Sequence, residues 1–95
     1  MKPIRLSKGF DKSYKKRIAP NGNLRAAYIS RLTALEAGER AYPLNDHALK
    51  GKINGKRAFS IAGDIRVIYE ETGDYIIFLD IGSHNQVYNL VASSK

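Results

Sequence analysis

Two histidines, His47 and His84, stand at the margins of extended segments in a chain of 95 residues that contains no cysteine. Around them the same stretch gathers Lys50, Lys52, Lys56, Arg57, Asp64, Arg66 and Tyr88. Histidine accepts or donates a proton near neutral pH. Arginine grips a phosphate through two parallel hydrogen bonds. Such a set suits a reaction whose substrate carries its own nucleophile, and RNA does, in its 2′-hydroxyl. A base takes the hydroxyl proton, an acid protonates the leaving 5′-oxygen, and cations hold the crowded phosphorane between them. A single histidine also serves structurally, capping a turn or bonding a backbone carbonyl.

Other chemistries find less support. His47 and His84 are 37 residues apart among scattered carboxylates, and there is no HExxH and no thiolate, so no metal site is expected. Ser83 adjoins His84, but neighbours on extended chain point apart, and no G-x-S-x-G elbow is present. No glycine-rich loop opens a helix, and no cofactor is expected.

The elements that must position these groups are bounded by length and composition. Ninety-five residues suffice for one domain, expected to span 1–95, and an apolar content of 43% provides for a core. The lack of cysteine rules out disulfides and fits a reducing cytoplasm. The opening "MKPIRLSKGF" has no apolar stretch of the kind a secretory signal needs, and no apolar run is long enough for a membrane span. Net charge is +7 and uneven. Residues 1–57 carry 14 Lys and Arg against 4 Asp and Glu, a balance of +10; residues 58–95 carry 2 against 5, a balance of −3. A polyanionic partner for the first part, nucleic acid or ribosome, follows from that asymmetry.

Periodicity divides the chain in two. "KPIRL" reads as a short strand, and "SKGFDKSYKKRIAP" as a helix capped by Ser7 and stopped by Pro20. Phe10 and Tyr14 share one face of it; Lys8, Lys12 and Lys16 stack on another, with Lys15 and Arg17 beside them. Asn21-Gly22-Asn23 reads as a turn, and a second helix follows from about Leu24 to Ala37, with Leu24, Tyr28, Leu32 and Leu35 as its apolar stripe and Gly38 at its end. From there "INGKRAFSI", "DIRVIYEE" and "YIIFLDI" read as strands, the last continuous enough to be interior, with a hairpin turn at 71–74. The fold class is therefore α+β, in the order β-α-α-β-β-β. Two helices pack on one face of a small, mainly antiparallel sheet whose other face is expected to be open. Strand alternation puts Ile65, Val67 and Tyr69 towards the helices and Arg66 on the open face. Arg57 shares parity with Phe59 and Ile61, an awkward position for a charge unless a bulge intervenes.

Residues 44–89, with "L-K-G" at 49–51, "D-I-R-V-I-Y" at 64–69 and "I-G-S-H-N-Q-V-Y" at 81–88, resemble the RelE/ParE toxin superfamily, and within it the RelE/YafQ-like mRNA interferases. "GFDKSYKKRI" resembles the opening helix of YafQ-like members. The resemblance implies the toxin of a type II toxin–antitoxin system: a metal-independent endoribonuclease, acting on mRNA in the ribosomal A site and silenced by a cognate antitoxin. It implies a site built from His47, Asp64, Arg66, His84 and Tyr88, while Lys8, Lys12, Lys15, Lys16, Lys50, Lys52, Lys56 and Arg57 would meet RNA or ribosome. An acidic antitoxin segment would cover the open face. The buried strand would present His84 at the rim of that face, with Gly82 letting the chain turn and Tyr88 returning towards the site. YafQ-like members carry an aspartate and a histidine where this chain has Ala58 and Ser60. Two other readings share the fold: a ParE-like inhibitor of DNA gyrase without nuclease chemistry, and a degenerate toxin that acts only as a binding partner.

Overall fold

The computed structural model describes residues 2–42, 44–49 and 55–93. Lys50 and Lys52 lie outside the described residues. A short strand, β1 (Ile4–Leu6), leads into α1 (Lys8–Arg17). Ser7 caps α1, its Oγ accepting from the Phe10 N–H at 3.0 Å. Asp11 in the first turn and Lys15, Lys16 and Arg17 in the last complement the helix dipole. The second helix, α2 (Gly22–Glu36), begins two residues earlier than its apolar stripe suggests. Asn21, expected in a turn, is its cap and accepts from the Leu24 N–H at 3.1 Å. Gly38 follows α2 at φ +90°, the left-handed conformation that ends many helices.

Then come β2 (His47–Ala48), β3 (Arg57–Ala62), β4 (Ile65–Glu71), β5 (Ile76–Ser83) and a third helix, α3 (His84–Ser93). The five strands form one sheet in the order β1-β5-β4-β3-β2. Among the described residues only the β1–β5 pair is parallel, so the sheet is mainly antiparallel, and β5 is interior as its apolar run predicts. The expected order thus gains a two-residue edge strand and a C-terminal helix.

On the face covered by α1 and α2, Phe10, Tyr28, Leu35, Phe59, Val67, Tyr69 and Phe78 form the core with Ile18, Ile61 and Ile81. Phe78 is central to it, its ring centroid 5.5 Å from Phe10, 5.6 Å from Phe59 and 6.2 Å from Tyr69. Each such ring, fully buried, contributes ~1.5–3 kcal/mol, which makes this inner face the main source of stability. The outer face is not open along its whole length. Val87 of α3 packs there against Leu49, Ala58 and Ile68, with Leu79 and Tyr88 at the margin. A sheet face that exposes Ile68 beside Leu79 is covered at low cost by one amphipathic turn of helix.

Candidate functional site

Arg66 is where the outer face becomes chemical. It pairs across β3 with Ser60 and across β5 with Gly82, so its side chain leaves the sheet on the side away from α1 and α2. Its Nη2 donates to Asp64 Oδ1 at 3.2 Å and its Nη1 to the Tyr88 hydroxyl at 3.4 Å. The guanidinium carbon lies 5.7 Å from the centre of the Tyr88 ring. The Tyr88 ring meets the His84 imidazole edge-on, 4.2 Å between centroids. Asp64, whose side chain is 62% exposed, turns its other oxygen to the backbone N–H of His84 at 3.2 Å. Four of the expected site residues, Asp64, Arg66, His84 and Tyr88, are thus one connected group at the β4–β5–α3 junction.

The local cause is a helix start. Ser83 Oγ accepts from the Gln86 N–H at 3.3 Å, and Gln86 Oε1 accepts from the Ser83 N–H at 2.8 Å. This reciprocal pair is a capping box, and its spacing, Ser-x-x-Gln, is legible at 83–86. His84 is therefore the first residue of α3, and Tyr88, four residues on, stands one turn above it on the same face. The carboxylate of Asp64 against the first N–H of the helix also suits its dipole.

Gly82 has another role than the expected turn. It lies within β5 and is not among the glycines at positive φ, which among the described residues are Gly38, Gly55 and Gly63. What requires glycine is space: a Cβ there would stand 2.7 Å from Arg17 Nη1 and 2.7 Å from Gln86 Oε1. Arg17, expected to join the basic face of α1, turns inward instead. It donates to the Ile81 carbonyl at 3.0 Å and reaches buried Asp80 at 3.5 Å. Beside Asp80, β5 carries one extra residue, Leu79, opposite the Ile68–Tyr69 step of β4. The first helix and the strand that delivers His84 are tied through this contact.

His47 is exposed on β2 and pairs with Ala58, so it shares the outer face with Arg66 from two strands away, about 10 Å laterally. Its Nδ1 lies 2.9 Å from the Asn45 carbonyl. Arg57 is on the other side of the sheet. A bulge does occur in β3, between Ser60 and Ala62, but it leaves Arg57 inward, paired with Tyr69. The charge is met there by a partner instead. Arg57 Nη2 lies 2.8 Å and Nε 2.9 Å from Asp46 Oδ1. Burial alone would lower the Arg57 pKa, but hydrogen bonds with Tyr69 and Asp46 raise it on balance. Arg40 joins the group at 3.1 Å from Asp46 and 3.4 Å from Glu71, and the Tyr69 hydroxyl donates to Asp46. Burial, then the bond to Asp46, pushes the Tyr69 pKa up. Lys8, Lys12, Lys15 and Lys16 are exposed on α1, and Lys56 is half-buried beside β3. Among the described residues no three His, Asp or Glu side chains gather as metal ligands, and no helix is long and apolar enough to cross a membrane.

The YafQ family model, whose members are bacterial toxins of type II toxin–antitoxin systems, matches residues 2–89. No curated protein sequence matches the chain. Among solved structures, a copper-bound mutant toxin from Helicobacter pylori is 32% identical over 92% of this chain and 99% of its own, with a TM-score of 0.78. YafQ from E. coli is 21% identical over 93% and 99%, with a TM-score of 0.77. The E. coli DinJ–YafQ complex gives 22%, 93% and 99%, with a TM-score of 0.75. At those identities the two E. coli structures speak to the fold, which they share with this chain. With the family model covering nearly its whole length, the chain belongs to the YafQ family of bacterial toxins of type II toxin–antitoxin systems.

Proposed function

We propose that this toxin is a ribosome-dependent, metal-independent endoribonuclease that cuts mRNA in the A site, halts translation, and is silenced by a cognate antitoxin. The observation that carries the reading is the contiguous group Asp64–Arg66–Tyr88–His84 on the outer face. Arg66 supplies the cation for the phosphorane, held in place by Asp64 on one side and Tyr88 on the other. His84 stands at the exposed start of α3, its ring against Tyr88, as a proton-transfer group beside that cation. His47, across β3, is the second. Attack by the 2′-hydroxyl leaves a 2′,3′-cyclic phosphate and a 5′-hydroxyl. The exposed lysines of α1 suit the ribosomal RNA backbone, and the protein would act in the cytoplasm as one domain. Its antitoxin would cover the site and the basic surface with an acidic segment that folds on binding; the E. coli DinJ–YafQ complex supports a partner of that kind in showing a similar fold assembled with a second protein.

Single-turnover cleavage of mRNA on programmed ribosomes tests this. His84→Ala should slow cutting by ~10²–10⁴, about 2.7–5.5 kcal/mol in the barrier, with ribosome binding nearly unchanged. A chelator selective for transition metals, with Mg²⁺ kept high enough to hold the ribosomes intact, should change nothing. Cleavage by His84→Ala at the wild-type rate would remove the histidine from the mechanism. Wild-type protein that cuts nothing, with or without ribosomes, would leave binding alone, or gyrase inhibition, as the activity.

A further inference from the structure

Asp46 lies directly before His47 and is bonded from three residues. Arg57 holds Oδ1 through Nε at 2.9 Å and Nη2 at 2.8 Å, while Arg40 at 3.1 Å and the Tyr69 hydroxyl hold Oδ2. Its side chain has no exposed surface, whereas that of His47 is exposed. Successive residues of extended chain point to opposite faces. Anchoring Asp46 among inner-face partners therefore sends His47 to the outer face. The anchor matters because β2 is two residues long and lies at the sheet edge. Such a strand has few ladder bonds to fix it. Just upstream, Asn45 sits at φ +51°, a left-handed conformation that asparagine tolerates, and from there its carbonyl faces His47 Nδ1 at 2.9 Å. A carbonyl oxygen can only accept, so Nδ1 carries the proton and neutral His47 keeps its lone pair on Nε2.

We propose that Asp46 is a positioning residue for His47: it pins the edge strand so that the Asn45 carbonyl holds the Nδ1–H tautomer and Nε2 is presented on the outer face as a proton acceptor. The catalytic part of this rests on the endoribonuclease reading; the tautomer and its dependence on Asp46 do not. In that reaction the acceptor would take the 2′-hydroxyl proton as the new P–O bond forms and the P–O5′ bond breaks. The leaving oxygen is protonated by another group.

Long-range ¹H–¹⁵N correlation on histidine-labelled protein reads the tautomer with no substrate present, and two histidines are assigned with one variant. The wild type should show His47 as a single Nδ1–H tautomer, and Asp46→Asn should turn it into a mixture. On ribosomes, Asp46→Asn should lower the single-turnover rate by about tenfold to a hundredfold, with affinity for the ribosome unchanged. The same change in a His47→Gln background should cost less than about twofold, because paired residues are non-additive. Should Asp46→Asn fail to fold, Arg40→Ala withdraws a donor from the solvent side and should blur the tautomer in the same way. The proposal is overturned by an Nε2–H tautomer in the wild type, by an unaltered tautomer in a folded variant, or by a full rate loss in the His47→Gln background. Intact tautomer coupling in a wild type that cuts no RNA would instead sink the endoribonuclease reading and leave the positioning of His47 standing.

Discussion

Replacing Gly82 by alanine adds one methyl group at the point where α1, β5 and α3 meet. The new Cβ would lie 2.7 Å from Gln86 Oε1, 2.7 Å from Arg17 Nη1 and 3.2 Å from Arg17 Cδ. Both neighbours are flexible and would move, so the cost is what they give up. Gln86 leaves the Ser83 N–H, which is half of the box that starts α3. A lost cap costs ~1 kcal/mol. Arg17 leaves the Ile81 carbonyl and Asp80. Asp80 is 2% exposed, and its Oδ2 already has no protein partner. Withdrawing a donor from such a carboxylate costs a further ~1–3 kcal/mol. The sum is about 2–4 kcal/mol out of a total near 5–15, or a fall in melting temperature of about 10–30 °C for a domain this size. Urea unfolding of wild type and Gly82→Ala measures it. The same substitution in an Arg17→Ala, Gln86→Ala background should cost far less, since the atoms it displaces are gone. A Gly82→Ala protein within about 0.5 kcal/mol of wild type, or an undiminished cost in that background, would refute the account of Gly82 as a space requirement.

Tyr88→Phe removes a hydroxyl 3.4 Å from Arg66 while keeping the ring against His84, so the single-turnover rate should fall about two- to tenfold, the worth of one modest hydrogen bond. A far larger loss would mean that the hydroxyl itself moves a proton. Reversing Lys8 and Lys12 to glutamate should weaken cosedimentation with ribosomes and flatten its salt dependence, because fewer counterions are released, with the melting temperature unchanged; unchanged cosedimentation at moderate salt would make that face merely solvated. Glu71 is held below its ordinary value of 4.5, first by the Lys2 hydrogen bond and then by Arg40. A depressed carboxylate stabilises the fold above its unfolded pKa and loses that contribution as the pH falls through the folded value. Lys2→Ala should therefore destabilise at neutral pH and matter progressively less below 4.5, which unfolding curves across that range would show.

The strands and both N-terminal helices were legible because each has one dominant period: the stripe at Leu24, Tyr28, Leu32 and Leu35, the alternation through Arg66, and the continuous run at 75–81. Arg66 could be assigned to the outer face for the same reason. The third helix was missed although its Ser-x-x-Gln start was present, because "GSHN" also reads as a strand-ending turn and competes with the cap signal. The edge strand β2 carries no period at all in two residues; it exists through its pairing with β3 and through Asp46, which are tertiary facts. Arg17 looked like a surface cation, and the parity that set Arg57 beside Phe59 and Ile61 offered no partner for its charge. Local sequence cannot reveal that Asp80 and Asp46, 63 and 11 residues away, are waiting for them.

Ala58 and Ser60 are small where the resemblance to YafQ-like toxins leads one to expect an aspartate and a histidine, and the register shows what their size does. Ala58 pairs with His47 on one side and Ile68 on the other, and Ser60 pairs with Arg66. Both therefore stand on β3, in the interval between His47 and the Arg66 group. An aspartate at 58 would sit among Leu49, Ile68 and Val87, apolar neighbours that desolvate a carboxylate, with His47 opposite it on β2. Alanine lets Val87 seat against the sheet, and that seating carries α3, with His84 and Tyr88, to Arg66. On the proposed endoribonuclease reading, the chemistry that remains is split across β3, with His47 on one bank and His84 on the other. In-line displacement at phosphorus places the incoming 2′-oxygen and the leaving 5′-oxygen on opposite sides of the reacting atom. With the phosphate held by Arg66 as proposed, a base and an acid on opposite banks would meet that requirement without the two groups that are missing.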